Sequence, residues 1–566
     1  MIITADSLGG DETLSADLAV IGAGPAGIVV AMEIASRGFD VLLVESGHEK
    51  FSPDVQRLAD AEELDSSLHS PMSLTTRRQL GGTSVIWGGR CVPLDRVDFD
   101  RRSHVGNSTW PVSYEQLLPY FQRACDWFRC GRAVFNVAQL THLPSSLVPG
   151  LPDGELQTSN LERWSLPTNF GREYRQSLKQ SGRVRVITGL TCTEVVCHTD
   201  VPQVSHLECR SLDGKRIRIR SRGYVVACGG LESTRLLLAS QAPNGGPPGD
   251  HSGHLGSWYM GHVEGVIANV RFSTPPRSTV FGYERDTDGT YVRRRLSVSP
   301  EALHQNDLPN VAAWIANPEL ADPRHRNGIL SFVYLTLRSP LGRFMAPDAQ
   351  RLSLTGEDVP GSPYGGAERG SIEAHLANIV RDSSSVLRFG GSFGAKRFFP
   401  HKRRAPGFFV YNAENRYPLQ YHGEQVPNAK SRVTLGSSRD AVGMPKLCID
   451  LRFSQNDVDG IVRWHNFCDD YLRRTGYGEL EYMSNDPAEA VWSRIGGGFH
   501  QLGTTRMAAR WEDGVVDENL AVHGVKNLFV ASSSVFATAG QANPTFMLVV
   551  FALRLADRLQ SLLGQL

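Results

Sequence analysis

The sequence has no excess of charge of either sign: 59 Lys and Arg face 59 Asp and Glu over 566 residues. A balanced chain has no global field to draw it onto nucleic acid or an acidic membrane. No apolar run approaches the roughly 18–20 residues that a membrane helix needs, and the nearest, FMLVVFALRLA, is broken by Arg554. The opening MIITADSLGGDETLSADLAV has neither the basic patch nor the apolar stretch of a secretory leader, so the expected location is cytoplasmic. Cysteine gives no framework either. There are nine, an odd number, and the nearest group, Cys192, Cys197 and Cys209, lacks CxxC-like spacing. Neither a metal site nor an iron–sulfur cluster is expected from them, only thiols in a reducing compartment.

What is present is ordinary for a globular chain, with 41% hydrophobic and 21% charged residues. The length exceeds what one core can organise, so at least two packed regions are expected. The first motif is DLAVIGAGPAG (17–27), a short apolar run followed by Gly22, Gly24 and Gly27. IVVAMEIASRG then places apolar residues at helical spacing and ends on Gly38, and VLLV leads into Glu45. Strand, glycine turn, helix, strand and terminal acid make a dinucleotide fingerprint. In it Gly22 makes the turn, Gly24 admits a pyrophosphate, and Gly27 lets the helix close on the strand. The helix N-terminus faces the pyrophosphate, and Glu45 accepts from ribose while disfavouring a 2′-phosphate. FAD and NAD share this pattern.

LGGTSVIWGGRC (80–91) carries two glycine pairs and suits close backbone approach to a flat or charged ligand. A helical region is expected around 113–130. VRVITGLTCTEVVC, SHLECRSLDG and KRIRIRSRGYVVACGG read as successive strands of a small antiparallel sheet, followed by the amphipathic helix LESTRLLLAS. Between 257 and 494, turn clusters separate strands such as GILSFVYLTL and FFVYNAENRYPL, with helices around 371–387 and 455–475. SRVTLGSSRDAVGMPKLCIDLRFS (431–454) reads as a hairpin. The basic cluster KRFFPHKRR (396–404) reads as a solvated loop.

Two late segments carry the chemistry. GGFHQLGTTRM (497–507) holds His500 among residues too small and polar to bury it in an apolar core. Forty-three residues on, TAGQANPTFMLVVFALRLADRL offers Asn543 as an N-cap and Pro544 as the first helical residue of a mostly buried helix. The positive end of that helix suits an anionic or polarised edge, which a reduced flavin has at N1 and C2=O and nicotinamide has not. The cofactor expected is therefore FAD.

DLAVIGAGPAG, GGTSVIWGG, SRVTL, GGFHQLGTTRM and GQANPTF…ALRLADRL, in that order, resemble the glucose–methanol–choline (GMC) flavin oxidoreductases. The resemblance is nearest the branch containing pyranose oxidase and bacterial sugar or glycoside oxidoreductases. It implies an α/β fold: a Rossmann-like FAD-binding domain with a second, mainly antiparallel β-sheet substrate domain, in the GMC or p-hydroxybenzoate hydroxylase-like architecture. The FAD-binding domain is expected in three segments, 1–106, 183–256 and 495–566. A cap region is expected at 107–182 and the substrate domain at 257–494. His500 and Asn543 are implied as the catalytic pair. Gly22, Gly24, Gly27, Glu45, Gly82, Thr83, Trp87, Gly88, Cys192 (through its backbone), Ser532 and Thr545 are implied along FAD, with Ala26, Ser46, Gly81, Gly89, Ala227, Cys228, Ser533, Ala542 and Asn543 completing the set. Two departures stand out. Ile86 replaces the histidine to which pyranose oxidase attaches its flavin, so FAD should be non-covalent. Ser532 stands where many members have an acid.

The expected reaction oxidises a CH–OH group, most readily of a sugar or glycoside, with hydride passing to flavin N5. A neutral His500 near its unperturbed pKa of about 6.5 takes the hydroxyl proton, and Asn543 donates to the developing alkoxide. His262, in SWYMGHVEG, is open between a cavity residue and a hydrogen-bonding scaffold. A non-sugar alcohol such as a sterol, a flavin lyase of the same fold, and a non-catalytic nucleotide module remain alternatives. The partners expected are a small alcohol or sugar and an electron acceptor, oxygen or quinone, with no nucleic acid. Oligomeric state stays open.

Overall fold

In the computed structural model, which describes residues 1–242, 245–362, 369–399 and 403–565, two sheets carry most of the fold. The first has eight strands. Ile2–Thr4, Val184–Thr188, Val41–Glu45, Glu12–Ile21 and Arg216–Val226 lie side by side in parallel, and Leu528–Val530 joins the end of Arg216–Val226. The central strands are buried on both faces and read as near-continuous apolar runs, as a covered parallel sheet requires. Helices Pro25–Ser36 and Thr545–Gln565 pack against each other over this core, which ends in Trp110 stacked on Phe551 at 5.9 Å.

The second sheet has six strands, all antiparallel: Gly478–Tyr482, His262–Phe272, Arg416–Glu424, Val311–Ile315, Leu296–Val298 and Leu156–Gln157. Its two central strands alternate. Val263, Leu419 and Tyr421 join a separate core with Trp464 of helix Gln455–Thr475. The alternate positions, His262, Glu264, Gln420, His422 and Glu424, belong to the opposite face. That polar face looks toward the carboxyl-terminal loop, because His422 Nδ1 bonds the Gln541 carbonyl at 2.7 Å.

Three expectations need correction. GILSFVYLTL is the helix Gly328–Arg338. Asn327 caps it by accepting from the Ile329 and Leu330 N–H groups, and Leu330, Val333, Tyr334 and Leu337 are buried at helical, not strand, spacing. In FFVYNAENRYPL the strand begins only at Arg416, after Asn415 turns the chain with φ 49°. The small antiparallel sheet is not separate: Val184–Thr188 lies inside the parallel sheet, and Thr191–Cys197 and Val204–Arg210 extend that sheet beyond Arg216–Val226. The hairpin in 431–454 forms as Arg432–Arg439 and Pro445–Asp450, and helices fall at Ile372–Arg381, Ser383–Phe398 and Gln455–Thr475. Of the basic cluster, Pro400, His401 and Lys402 lie outside the described residues. Among the described residues no helix is long and apolar enough to cross a membrane.

Candidate active site

A cleft runs over the carboxyl ends of the parallel strands, where α/β sheets take their ligands. Gly22, Gly24, Ala26, Glu45, Ser46, Gly82, Thr83, Trp87, Cys192, Ala227, Cys228, Ser533 and Thr545 line it. The two glycine motifs meet in its floor, since a Cβ on Gly82 would stand 2.9 Å from the Gly24 Cα. Pro25 opens helix Pro25–Ser36 as its first residue, where an N–H would be surplus, so the next N–H groups stand at the helix end that faces the cleft. Glu45 is buried. It accepts from the Ala23 N–H at 2.8 Å and the Gly47 N–H at 2.7 Å, which fixes the turn, and a carboxylate has lone pairs left for a ribose. Burial pushes Glu45 above the usual carboxylate range, against those two bonds and Arg78. Gly-lined backbone, a free helix end and an acid at the strand end fit an adenine dinucleotide.

Other members of the expected set stand back from the cleft. Gly27 packs the helix onto the turn: a Cβ there would lie 1.9 Å from the Gly22 carbonyl oxygen. Gly81 and Gly89 shape the second motif at φ 101° and 81°. The Ser532 hydroxyl accepts from the Ser534 N–H at 3.2 Å, and Ala542 is buried in the core. Gly88 and Asn543 line the neighbouring cavity instead. Cleft residues that sequence reasoning missed include Arg78, Glu232, Phe499 and Gln501. For Gln501 the only available signal was its place beside His500.

Gly27→Ala is expected to lift the helix off the turn, costing about 1–3 kcal/mol by overpacking and lowering retained cofactor. The ratio of bound FAD to protein and a thermal melt check this; a fully loaded variant with an unchanged melt refutes it.

The second cavity, ≈ 600 Å³, is within the range of small-molecule sites. It shares Thr75, Arg77, Thr83, Trp87, Phe499 and Thr545 with the cleft, so the two open into one another. His500 and Asn543 stand in its wall, and Asn543 Nδ2 donates to His500 Nε2 at 2.7 Å. The expected cap is displaced by one residue. The Leu548 N–H bonds the Pro544 carbonyl at 2.9 Å, so Pro544 holds the cap position and Thr545–Gln565 begins after it. Asn543 is thereby freed from capping, and its Oδ1 is buried without a hydrogen bond.

Behind His500 the polar sheet face supplies two more rings. His500 Nδ1 lies 2.9 Å from His262 Nδ1, and His422 stacks on His262 with centroids 4.1 Å apart. With Asn543 donating to Nε2, the His500 proton sits on Nδ1 and is donated to His262 Nδ1. The His262 proton is then on Nε2, which is buried and has no hydrogen-bond partner among the described residues. His262 is therefore a buried scaffold residue that fixes the His500 tautomer. Burial, then the Arg90 charge, lowers His500 to about 3. Burial also lowers His262 and His422 well below the ordinary imidazole value. All three rings are neutral, and His500 is far from the expected 6.5. Their nitrogens come within 4.8 Å of one another, a grouping that the linear sequence does not display. Both His500 nitrogens are engaged in hydrogen bonds, and Arg90 adds positive charge beside them.

Residues 427–552 match the family model "GMC oxidoreductase", and residues 17–53 match "FAD binding domain". The carboxyl-terminal part of the chain is thus similar to the GMC oxidoreductases, and its first glycine turn to FAD-binding domains. The chain is an FAD-dependent oxidoreductase, with the His–Asn pair inside the matched segment. Curated relatives cover nearly its whole length. One is the 6'''-hydroxyparomomycin C oxidase of Streptomyces lividus, 24% identical over 96% of this chain and 91% of that protein. Another is the paromamine 6'-oxidase of Streptomyces fradiae, 22% identical over 95% and 90%. A third is the 2-methyl-1,2-propanediol dehydrogenase of Mycolicibacterium austroafricanum, 22% identical over 96% and 94%. Two solved structures share the fold at TM-score 0.51. They are a formate oxidase of Aspergillus oryzae (17% identity) and a fungal aryl-alcohol oxidase (14%), each covering 98% of this chain and 99% of the other.

Proposed function

We propose that this enzyme oxidises a CH–OH group of a sugar or glycoside, with His500 taking the hydroxyl proton and FAD held non-covalently. The observation that carries the reading is the 2.7 Å contact between His500 Nε2 and Asn543 Nδ2, in a cavity that opens into the nucleotide cleft. FAD, when bound, supplies the hydride acceptor. A substrate oxygen entering between the two side chains replaces their mutual bond: it donates to Nε2 and accepts from Nδ2. The imidazole is neutral and its tautomer is already set by His262, so no proton has to be cleared before it acts. Asn543 then stabilises the alkoxide as its charge develops.

A carbohydrate substrate is supported by the relatives named for paromamine and hydroxyparomomycin, and oxidation rather than elimination by all three relatives' names. Non-covalent binding is supported by Ile86, a side chain with no nucleophile, in the second glycine motif. Anaerobic titration with a panel of monosaccharides and glycosides should bleach the flavin, and acid denaturation should release all of it. Readmitting air or adding a quinone then identifies the acceptor. A flavin that dithionite reduces but no polyol in the panel bleaches would sink the reading.

A further inference from the structure

We propose that His262 does more than set a tautomer: its Nδ1 is the acceptor that stabilises His500 as an imidazolium while the substrate hydroxyl loses its proton. His262 is then a positioning residue, acting on the substrate only through His500. This rests on the reading of His500 as the base, and it adds what supports the charge that the base acquires.

The argument starts from what a base needs once it has acted. The substrate O–H bond breaks with its electron pair left on oxygen, and the proton goes to His500 Nε2. His500 then carries protons on both ring nitrogens and one positive charge. Its surroundings oppose that charge, because the ring is buried and Arg90 acts on it. Arg90 is held on the buried Glu162, Nη2 to Oε1 at 2.8 Å, and Arg293 Nη2 lies 3.0 Å from the other oxygen of that carboxylate. Among the described residues no carboxylate is bonded to His500 itself. What its Nδ1–H meets is the neutral His262 Nδ1, at 2.9 Å. A hydrogen bond from an ionised donor is roughly twice as strong as a neutral one. That gain appears only as the proton arrives, so it lowers the barrier and leaves substrate binding unchanged.

His262 is placed for this by its strand and not by a loop. It opens His262–Phe272, whose register against Arg416–Glu424 brings His422 beside it. His422 stacks on its ring at 4.1 Å and 25°, and is itself fixed by Nδ1 donating to the Gln541 carbonyl at 2.7 Å. The His262 and His500 rings stand at 88°, so they meet through nitrogen and do not stack. His262 is buried, and its Nε2 has no hydrogen-bond partner among the described residues. A buried imidazole with one nitrogen left unbonded and the other aimed at the base serves that base.

The test measures flavin reduction in the FAD-loaded enzyme with glucose, a methyl glucoside and paromamine as probes. Three replacements separate the acceptor from the shape. Asn puts an amide close to where Nδ1 stands, Gln carries its amide out to the place of Nε2, and Phe keeps a ring with no acceptor. His262→Phe and His262→Gln should lower kcat by about 10–100-fold, the range of a hydrogen bond to a charged group, with KM within about twofold of the parent. His262→Asn should recover most of that loss. A packing role would rank Phe above Asn; the acceptor role ranks Asn above Phe. Flavin content and a thermal melt show that each variant is folded, and if His262→Phe loses FAD the Asn–Gln comparison decides alone. Parental kcat in His262→Phe or His262→Gln, an Asn variant no faster than Gln, or a loss carried by KM overturns the proposal while alcohol oxidation by His500 stands. If no probe or other polyol bleaches a flavin that dithionite reduces, both fall together.

Discussion

His500→Ala is expected to slow flavin reduction by about 10²–10⁴-fold while the protein stays yellow. The size follows from removing a positioned base; the retained colour follows from position, because His500 lines the second cavity and is absent from the cleft walls. The pH dependence separates this role from a structural one. A base is lost when it is protonated, so the acid limb of kcat/KM falls at the pKa of His500 in the free enzyme. That group is held at about 3, so lowering the pH from 7 to 5 leaves it neutral, and kcat/KM should stay level across that interval. Stopped-flow reduction from pH 5 to 8 checks both statements. A variant reduced at the normal rate removes His500 from the chemistry, and an acid limb centred near 6.5 removes the buried, neutral environment assigned to it.

The shift away from 6.5 marks where the sequence stops being readable. His500 and Asn543 are visible because each sits in a local motif of glycine, proline and small polar residues. The nucleotide turn is visible because Gly22, Gly24, Gly27 and Glu45 lie in one short segment whose spacing encodes its geometry. His262 is visible only as an open candidate within SWYMGHVEG, and Glu264, His422 and Glu424 carry no such signal. Each is one polar position on an alternating strand, which reads the same whether that face meets water or the loop that carries Asn543. Their meeting depends on the antiparallel register of His262–Phe272 against Arg416–Glu424, a pairing across more than 150 residues that local pattern does not encode. The Arg90–Glu162–Arg293 cluster is hidden for the same reason, assembled from three strands of the four-stranded sheet. GILSFVYLTL misleads in the other direction, because its aromatic and branched residues suit a strand while Asn327 and the buried i, i+3, i+4 positions decide for a helix.

Glu424→Ala is expected to cost about 3–5 kcal/mol of stability, the range for leaving one member of a buried ion pair alone. Arg102 and Glu424 both have fully buried side chains and form a two-pronged pair, Arg102 Nη1 to Glu424 Oε1 and Arg102 Nη2 to Oε2 at 2.9 Å. Oε1 also accepts from the Asn310 N–H at 2.6 Å, and Asn310 Nδ2 donates to Asp98 at 2.8 Å. The consequence reaches catalysis through the loop that carries Asn543. Gln541 Nε2 donates to Asp95 at 3.0 Å, Asn310 Nδ2 reaches the same Asp95 oxygen at 3.1 Å, and the Gln541 carbonyl holds His422, two residues along the strand from Glu424. Losing Glu424 therefore leaves the Arg102 guanidinium facing the more distant Asp98, at 3.8 Å, and slackens the frame that sets Asn543 against His500. A denaturant melt should show the loss, and kcat should fall without any change in the level acid side of the pH profile, since the titrating groups remain. Glu424→Gln, which keeps an acceptor for Asn310 but no charge for Arg102, should fall between the two. A melt within about 1 kcal/mol of the parent for Glu424→Ala would mean that water reaches Arg102 and that the two sheets are tied together elsewhere.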